Sequence, residues 1–453
     1  MKFEFDINYE EIKKLVEQIK QQVTPSQKDR ERLKEIENII SERLRRRGLK
    51  FILGGSYARD TWLPEDADID FFVLFDPALG SDGIGKKGLK ELEEVVKDLN
   101  YWKNYAEHPY IEGMLNGIKF NLVPCADVPP GKWITSMDRS RYHNEYLLKK
   151  LNPELRGEVR VFKKFLKSNG LYGAEIKVGG VSGYLSEVLA VKYGSFVEIL
   201  KNIVAWEQGE VVALEPYDYD PKKVFTTPVI ILDPVDQKRN LALAIKNRVL
   251  GKLKVLALNF LKSPDVKYFA ERQPVPEDRT SNNVVMISFK APDLVEDIRW
   301  GMYYKAEEAV RNAFKNSGYR IIRSTVSEYD TWVTIAVFLE FDKRNFEIRS
   351  GPSVYFPENV IKFLKSHRYV WVENDMRLYS FEPGKYVDAK DVLASLKINP
   401  INWGVPAGIS KNFSEGFVYR YSELEGSSLY FKSAKNAFAS LFETLAVDSN
   451  KCL

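Results

Sequence analysis

Asp68 and Asp70 stand one residue apart in the run Asp68-Ile69-Asp70-Phe71-Phe72-Val73-Leu74-Phe75, shortly after the turn Gly54-Gly55-Ser56-Tyr57-Ala58-Arg59. On a strand, residues i and i+2 point to the same face, so both carboxylates can grip one hard, oxygen-seeking cation. The turn adds flexible glycine backbone, the Ser56 hydroxyl and the N-terminus of a brief helix, a combination that attracts anions. Arg59 on that helix can pair with phosphate oxygens. Nucleotidyl transfer to a hydroxyl needs a bound triphosphate, one or two divalent cations and groups that align attacker with leaving group. Each requirement has a candidate. Taken singly, the aspartates read as solvated carboxylates at a strand end and the turn as ordinary; together they favour a metal-nucleotide site.

Further candidates carry an ordinary reading beside the chemical one. His108 and His143 are two of only three histidines, and alone each reads first as a satisfied structural histidine. Lys163 and Tyr172 pass as a helix-surface lysine and a packing tyrosine. Arg239 and Asn240, just before a helical pattern, suit a base edge or a helix cap. The cluster Arg43, Arg45, Arg46 and Arg47 reads as a solvated helix end before it reads as an RNA contact.

The elements that must position these groups follow from caps and periodicity. Thr24 and Pro25 read as N-cap and first residue of an amphipathic helix reaching Arg47, which Gly48 ends. A short strand at 50–53, the brief helix at 57–63 and a strand at 68–75 come next. A glycine-rich loop spans 80–85, a helix 88–99, and strands lie near 100–108, 110–115 and 118–124. This describes a mixed sheet flanked by helices. Neither a GxGxxG nor a Walker pattern is present. Residues 138–262 read as mostly helical, with long candidates at 148–168, 180–205 and 240–261 and a loop-and-strand insertion at 210–227. A Pro- and charge-rich stretch at 263–281 marks a boundary. Beyond it a strand (283–290), a helix (294–316) and two strands (319–326 and 331–341) form a βαββ order, a small antiparallel sheet with a helix on one side. The helix has Trp300, Tyr303, Ala306, Val310 and Ala313 on one face. Trp332, Tyr355, Tyr369 and Trp371 follow among lysines and arginines.

The 453 residues suffice for roughly two to four domains. The longest apolar runs fall far short of the roughly 20 residues of a membrane span, and the start does not resemble a signal peptide. Cys125 and Cys452, the only cysteines, are not spaced for zinc or a disulfide scaffold. These features point to a cytoplasmic protein with no membrane partner. With 67 basic against 63 acidic residues the formal charge is +4, so any nucleic-acid surface must be local.

Taken together and in order, the segments resemble the archaeal-type CCA-adding enzymes, tRNA nucleotidyltransferases of the polymerase β-like superfamily. The resemblance runs through Gly54-Gly55-Ser56-Tyr57-Ala58-Arg59, Thr61-Trp62-Leu63, Asp68-Ile69-Asp70, Tyr105-Ala106-Glu107-His108-Pro109-Tyr110 and Val123-Pro124-Cys125. It continues through Asp138-Arg139 with Tyr142-His143, Phe165-Leu166-Lys167, Tyr172-Gly173-Ala174-Glu175, Ser182-Gly183-Tyr184, and Asp233-Pro234-Val235-Asp236 to Arg239-Asn240. The last third resembles the family more loosely, through Gly351-Pro352 and residues 359–364. The resemblance implies an α+β chain: a polymerase β-like catalytic head at 1–150, a helical neck at 151–265, and an α/β body and tail at 266–453 that hold the acceptor and TΨC arms of tRNA. It implies template-independent addition of CCA from CTP and ATP with Mg2+. Ser56, Arg59, Lys163 and Tyr172 would bind the triphosphate, Ser140 and His143 the sugar. His108 would shape the nucleotide pocket, and Arg239 with Asn240 nearby would define the incoming base. A homodimer is compatible with this reading.

One position departs from the pattern. In Ile118-Lys119-Phe120-Asn121-Leu122-Val123-Pro124-Cys125, Asn121 stands where the family carries its third catalytic aspartate. An amide oxygen still ligates magnesium, which leaves the metal set as Asp68, Asp70 and Asn121, but an amide brings no negative charge and takes no proton from a 3′-hydroxyl. An inactivating Asp→Asn substitution and a natural homologue with altered activity both account for it. Two other readings stay open: a poly(A)- or oligoadenylate-type transferase, and a tRNA-binding protein without catalysis.

Overall fold

The computed structural model describes residues 9–105, 109–270, 278–343, 346–383, 385, 387–443 and 445. They fall into two compact units, the first holding the described residues up to 270 together with residue 445, the second those from 278 to 443.

The first unit opens with helices Tyr9–Val23 and Gln27–Arg46. Ser26, not Thr24, caps the second: its hydroxyl accepts the Asp29 N–H at 3.2 Å, and the Asp29 carboxylate accepts the Ser26 N–H at 2.9 Å. This reciprocal pairing satisfies two donors that the first helical turn would leave orphaned. Thr24 instead donates to the Lys20 carbonyl, finishing the preceding helix. Ser26→Ala is expected to lower stability by about 1 kcal/mol, read as a lower urea midpoint at unchanged slope.

Five strands follow: β1 (Lys50–Gly54), β2 (Asp68–Phe75), β3 (Asn100–Tyr105), β4 (Pro109–Leu115) and β5 (Ile118–Ala126). They order as β1-β2-β5-β4-β3, with β2 and β5 parallel and the other pairs antiparallel. Ile69, Phe71 and Val73 of β2 are fully buried with Ile111, Phe120 and Leu122, packed on Leu33, Ile36, Ile40 and Leu44 of one helix and Leu92, Val95 and Val96 of another, Leu89–Val96. Burial of each such side chain contributes about 1.5–3 kcal/mol. Alternation then sends Asp68 and Asp70 to the opposite face. A one-residue slip would drive both into the core, so the hydrophobic pattern fixes the register that places the chemistry.

Residues 80–85, expected to loop, are helical: Pro77–Leu79, Gly80–Gly83 and Ile84–Gly88 lead continuously into Leu89–Val96. Packing overrides the poor helix propensity of glycine here. Ile84 is fully buried in a cluster with Ala126 and Val128, and a Cβ on Gly88 would stand 3.1 Å from Pro124.

Two of the long helices expected from the sequence are each divided. Arg139–Lys150 and Pro153–Ser168 separate at Asn152, whose side chain accepts the Leu155 N–H at 2.8 Å ahead of Pro153. Gly183–Tyr193 and Phe196–Ala205 separate at Gly194, φ 85°, and the cap Ser195. In each case a cap residue with a proline or glycine resets the chain. The helix expected from 240 begins later, as Asn247–Lys262. β6 (Glu210–Val212) and β7 (Val229–Ile231) pair in parallel. Phe165, Phe196, Phe260, Tyr268 and Phe269 cluster in the core of this helical part.

In the second unit, β8 (Val284–Lys290), β9 (Ile321–Tyr329), β10 (Trp332–Leu339) and β14 (Phe417–Arg420) form an antiparallel sheet ordered β14-β8-β10-β9. The helix Glu296–Asn316 buries Trp300, Tyr303, Ala306, Val310 and Ala313 in the core shared with Val285, Ile287 and Phe289. The helix Phe431–Leu441 packs Ala434, Ala437 and Phe438 with Val284, Met286 and Ala336, from the other face. A second sheet contains β11 (Phe346–Ser353), β12 (Val370–Val372) and β13 (Arg377–Pro383), in the order β11-β13-β12. Trp332 is not among the exposed aromatics; it is buried beside Phe417 and Tyr430. No helix among the described residues is long and apolar enough to cross a membrane.

Candidate active site

The parallel register of β2 and β5 sets Asp70 directly opposite Asn121 and Asp68 opposite Lys119. The Asn121 amide nitrogen donates to Asp70 Oδ1 at 2.9 Å and to Asp68 Oδ2 at 3.2 Å. All three expected metal-site residues therefore converge, with the amide hydrogens directed at both carboxylates. Burial raises the Asp68 carboxyl to about 7, assisted by the charge of Asp70, while Asn121 pulls the other way. Burial also raises Asp70, against the Asn121 hydrogen bond and the charge of Arg59. The backbone of Gly55 lies so close, at φ 63°, that a Cβ there would collide with the Asp70 carboxylate. Two crowded carboxylates, a glycine cradle and an amide able to offer oxygen fit a divalent cation. Among the described residues no group of three or more His, Cys, Asp or Glu side chains forms a metal cage, which is what an amide at position 121 entails.

This pair makes metal-free stability depend on pH with a definite sign. The folded Asp68 value lies above the ordinary 3.8, so the native state holds the proton longer than the unfolded chain, and the contribution to stability is lost as pH rises through that window to about 7. In EDTA, the thermal midpoint of the chain relative to an Asp68→Asn variant is expected to fall between pH 5 and pH 8. Mg2+ is expected to reverse the difference at pH 8.

Two of the candidate phosphate ligands, Arg59 and Lys163, meet around a carboxylate that the sequence reading did not assign. Glu187, on the helix Gly183–Tyr193, is fully buried. Arg59 Nε donates to its Oε2 at 2.9 Å, Lys163 Nζ lies 3.5 Å from its Oε1, and the Thr61 hydroxyl bonds it as well. Arg59 Nη1 also reaches Asn144 Oδ1 at 3.2 Å, and Lys163 donates to the Thr61 carbonyl at 3.1 Å. Burial lowers the Lys163 ammonium, and Glu187 and Asp68 oppose that shift while Arg59 adds to it. The Tyr172 phenol lies close to the start of the Glu187 helix, where a Cβ on Gly183 would stand 2.7 Å from its oxygen. Ser56, on the helix Gly55–Arg59, is half-buried.

A second unassigned carboxylate organises the other candidates. Asp233 is fully buried and bonds His143 Nε2 at 2.8 Å, Tyr184 Oη at 3.2 Å and Arg239 Nη1 at 3.2 Å. Burial lowers His143 despite Asp233. Burial works against the charge on Asp233 too, but His143, the Val235 N–H and Arg239 outweigh it and keep the carboxyl low. A neutral imidazole donating to a carboxylate accounts for both directions. Tyr184 stacks on His143 with centroids 4.1 Å apart. Ser140 lies one turn before His143 on the same helix. Arg239 is 44% exposed and available. Asn240 is buried elsewhere: it accepts the Ile231 and Ala242 N–H groups, each at 2.9 Å, and donates to Thr227. Nor does it cap a helix. His108 lies outside the described residues.

A lone glutamate in Leu185-Ser186-Glu187-Val188-Leu189-Ala190 and an aspartate ending Val229-Ile230-Ile231-Leu232-Asp233 were the available signals for these two residues. A charge inside an apolar run needs a partner.

Comparison of the sequence with known proteins shows its family. A CCA-adding enzyme of Sulfurisphaera tokodaii is 34% identical over 375 residues, 82% of this chain and 88% of that protein. This chain belongs to the CCA-adding enzyme family. A CCA-adding enzyme of Saccharolobus islandicus is 33% identical over 84% of this chain and 93% of its own length. Three family models match in sequence order: a nucleotidyltransferase domain at 33–143, the second domain of tRNA nucleotidyltransferase at 157–270, and the CCA-adding enzyme C-terminal domain at 280–417. The aspartate pair and Asn121 of this family member thus lie in the first match, and Lys163, Tyr172, Glu187, Asp233 and Arg239 in the second. A solved structure of the Cid1 poly(U) polymerase superposes at TM-score 0.47 and 14% identity, covering 59% of this chain and 100% of its own.

Proposed function

We propose that this chain adds CCA to the 3′ end of tRNA without a template, using CTP and ATP. The observation that carries the reading is the convergence of Asp68, Asp70 and Asn121 on one sheet face, within electrostatic reach of the buried cations Arg59 and Lys163. In this reading the two carboxylates and the Asn121 oxygen would hold Mg2+, which would supply charge neutralisation at the reacting phosphate. Ser56, Arg59, Lys163 and Tyr172 bind the triphosphate. Ser140 and His143 face the sugar, His143 kept neutral and oriented by Asp233. Arg239, tethered at one nitrogen, keeps donors for a base edge or an RNA phosphate. The 3′-oxygen of the RNA attacks the α-phosphorus, and the bond to pyrophosphate breaks. Asn121 cannot accept the proton of the 3′-hydroxyl, which must leave to solvent water, so the chain binds better than it reacts.

The second unit supplies the tRNA-binding body and tail. Its support is the C-terminal family match together with exposed aromatic rings beside arginines. Tyr369 stacks on Phe381 at 4.7 Å, with the Arg368 guanidinium 5.4 Å from its ring centroid. Such surfaces stack unpaired bases and hold phosphates. The cytoplasm is the compartment this role implies.

The test is incorporation of labelled CTP and ATP into tRNA lacking its CCA end, by this chain and by its Asn121→Asp variant. Arrest after C, C and A supports the reading. A growing tail would assign a poly(A)-type transferase, and tRNA binding with no incorporation by either form would assign a binding protein.

A further inference from the structure

The amide of Asn121 poses a geometric problem. Both Asp68 and Asp70 receive hydrogen bonds from its Nδ2, so as it stands the amide presents donors to the place between them. A cation there would face N–H groups, not an oxygen. Turning the amide end for end presents Oδ1 to the cation, and the terminal torsion of asparagine is broad and roughly two-fold. The turned Nδ2 then needs an acceptor on its far side, away from the aspartates.

The sheet supplies one. In the antiparallel register of β4 and β5, Glu112 lies directly opposite Asn121. Its neighbour Ile111 is fully buried in the helix-facing core, so alternation puts Glu112 on the same face as Asp68, Asp70 and Asn121. Directly opposed cross-strand residues have Cβ atoms about 4.5–5.5 Å apart, a separation that an asparagine and a glutamate close with one hydrogen bond. The Tyr110 phenol, raised by burial and then by the charges of Glu112, Asp70 and Asp68, marks the three carboxylates as sharing one environment. Glu112 is held in place: Asn104 Nδ2 donates to Oε2 at 3.2 Å, and Lys119 Nζ lies 3.3 Å from Oε1. A carboxylate has about four lone-pair sites, so it can accept a third donor without releasing these two.

We propose that Glu112 is a positioning residue for the metal site of this chain: it accepts the turned Nδ2–H of Asn121 and so fixes the amide oxygen toward the cation bound by Asp68 and Asp70. The bond also polarises the amide, making Oδ1 a better ligand. An aspartate at position 121 would have no amide to orient and no N–H to offer Glu112. The inference rests on the metal-nucleotide reading above and concerns only how an asparagine serves within it.

The experiment titrates the full chain with Mn2+ alone and reads bound metal from the loss of the free-ion electron paramagnetic resonance signal, so no turnover is needed. With Asn121 in place, Glu112→Ala is expected to weaken Mn2+ binding about tenfold, the scale of one hydrogen bond to a charged acceptor. Glu112→Gln, which keeps an acceptor and loses the charge, is expected to stay within about threefold of the parent chain. In the Asn121→Asp background the two substitutions should have equal effects. Loss of mere negative charge near the metal would instead make Gln and Ala equal in both backgrounds, and that outcome overturns the proposal. Should the alanine variant fail to fold, Glu112→Val, β-branched and without an acceptor, takes its place. Failure of the functional reading is seen separately: Asn121→Asp would then neither bind Mn2+ nor incorporate CTP.

Discussion

Asn121→Asp is expected to raise CMP and AMP incorporation by about 10²- to 10⁴-fold, the range a positioned general base contributes, while the KM for either nucleotide changes far less. The reasoning starts from the register of β2 and β5, which already sets position 121 opposite Asp70. A carboxylate there needs no backbone movement to join the pair. It would add the negative charge that draws metal and the acceptor that a departing proton requires. Nucleotide contacts should be nearly unaffected, because Arg59 and Lys163 are held by Glu187 and not by Asn121. A cost accompanies the gain. The Asn121 amide now gives both aspartates hydrogen bonds, and a third carboxylate would replace them with repulsion. Without metal the variant should therefore unfold at a lower temperature than the parent at pH 7.5, and Mg2+ should stabilise it more. Single-turnover incorporation with CTP checks the rate, and thermal unfolding with and without Mg2+ checks the exchange of stability for metal affinity. A variant as slow as the parent would show that the side chain at position 121 does not limit the rate.

The parts of this architecture legible in the sequence are those governed by local pattern. β2 has the expected bounds because Asp68 and Asp70 alternate with Ile69 and Phe71 and the run from Phe71 to Phe75 is apolar throughout, the pattern of a strand buried on both faces. The helix face of Trp300, Tyr303, Ala306, Val310 and Ala313 was legible through its helical spacing. Residues 80–85 were not, since three glycines argue locally for a loop, and only the burial of Ile84 against a distant strand makes them helical. The divided helices were missed because their apolar periodicity continues across Asn152 and Ser195, where a single cap decides the break. Within the site, the aspartates and the position-121 departure could be named from the chain, whereas the roles of Glu187 and Asp233 could not. Glu187 reaches Arg59 and Thr61, and Asp233 reaches His143 and Tyr184, across more than forty residues of sequence, contacts that only the fold makes. Asn240 shows the converse: its polarity suggested recognition, and the structure uses it to pin the backbone of β7.

Glu187→Gln carries the largest expected cost to the fold itself. Glu187 is fully buried, with Arg59 and Lys163 nearly so, and the Arg59 and Lys163 charges outweigh burial to keep its carboxyl ionised below the usual range. The cluster thus holds two cations to one anion. Glutamine preserves the shape and the Thr61 hydrogen bond but leaves both cations without their counter-charge in a poorly solvated place. Removing one partner of a buried ion pair costs about 3–5 kcal/mol, a large fraction of the roughly 5–15 kcal/mol that holds a domain together. The urea midpoint should fall accordingly. Lys163, whose ammonium burial already lowers and Glu187 supports, would lose charge more readily, removing a phosphate contact. Affinity for CTP should then weaken by at least about tenfold, the equivalent of one lost charge-assisted hydrogen bond. Because stabilisation by a ligand follows its affinity, CTP at a fixed concentration should raise the urea midpoint less in Glu187→Gln than in the parent. That difference separates a phosphate-binding cluster from a merely structural ion pair: equal stabilisation by CTP in the two proteins would place Arg59 and Lys163 outside the triphosphate site.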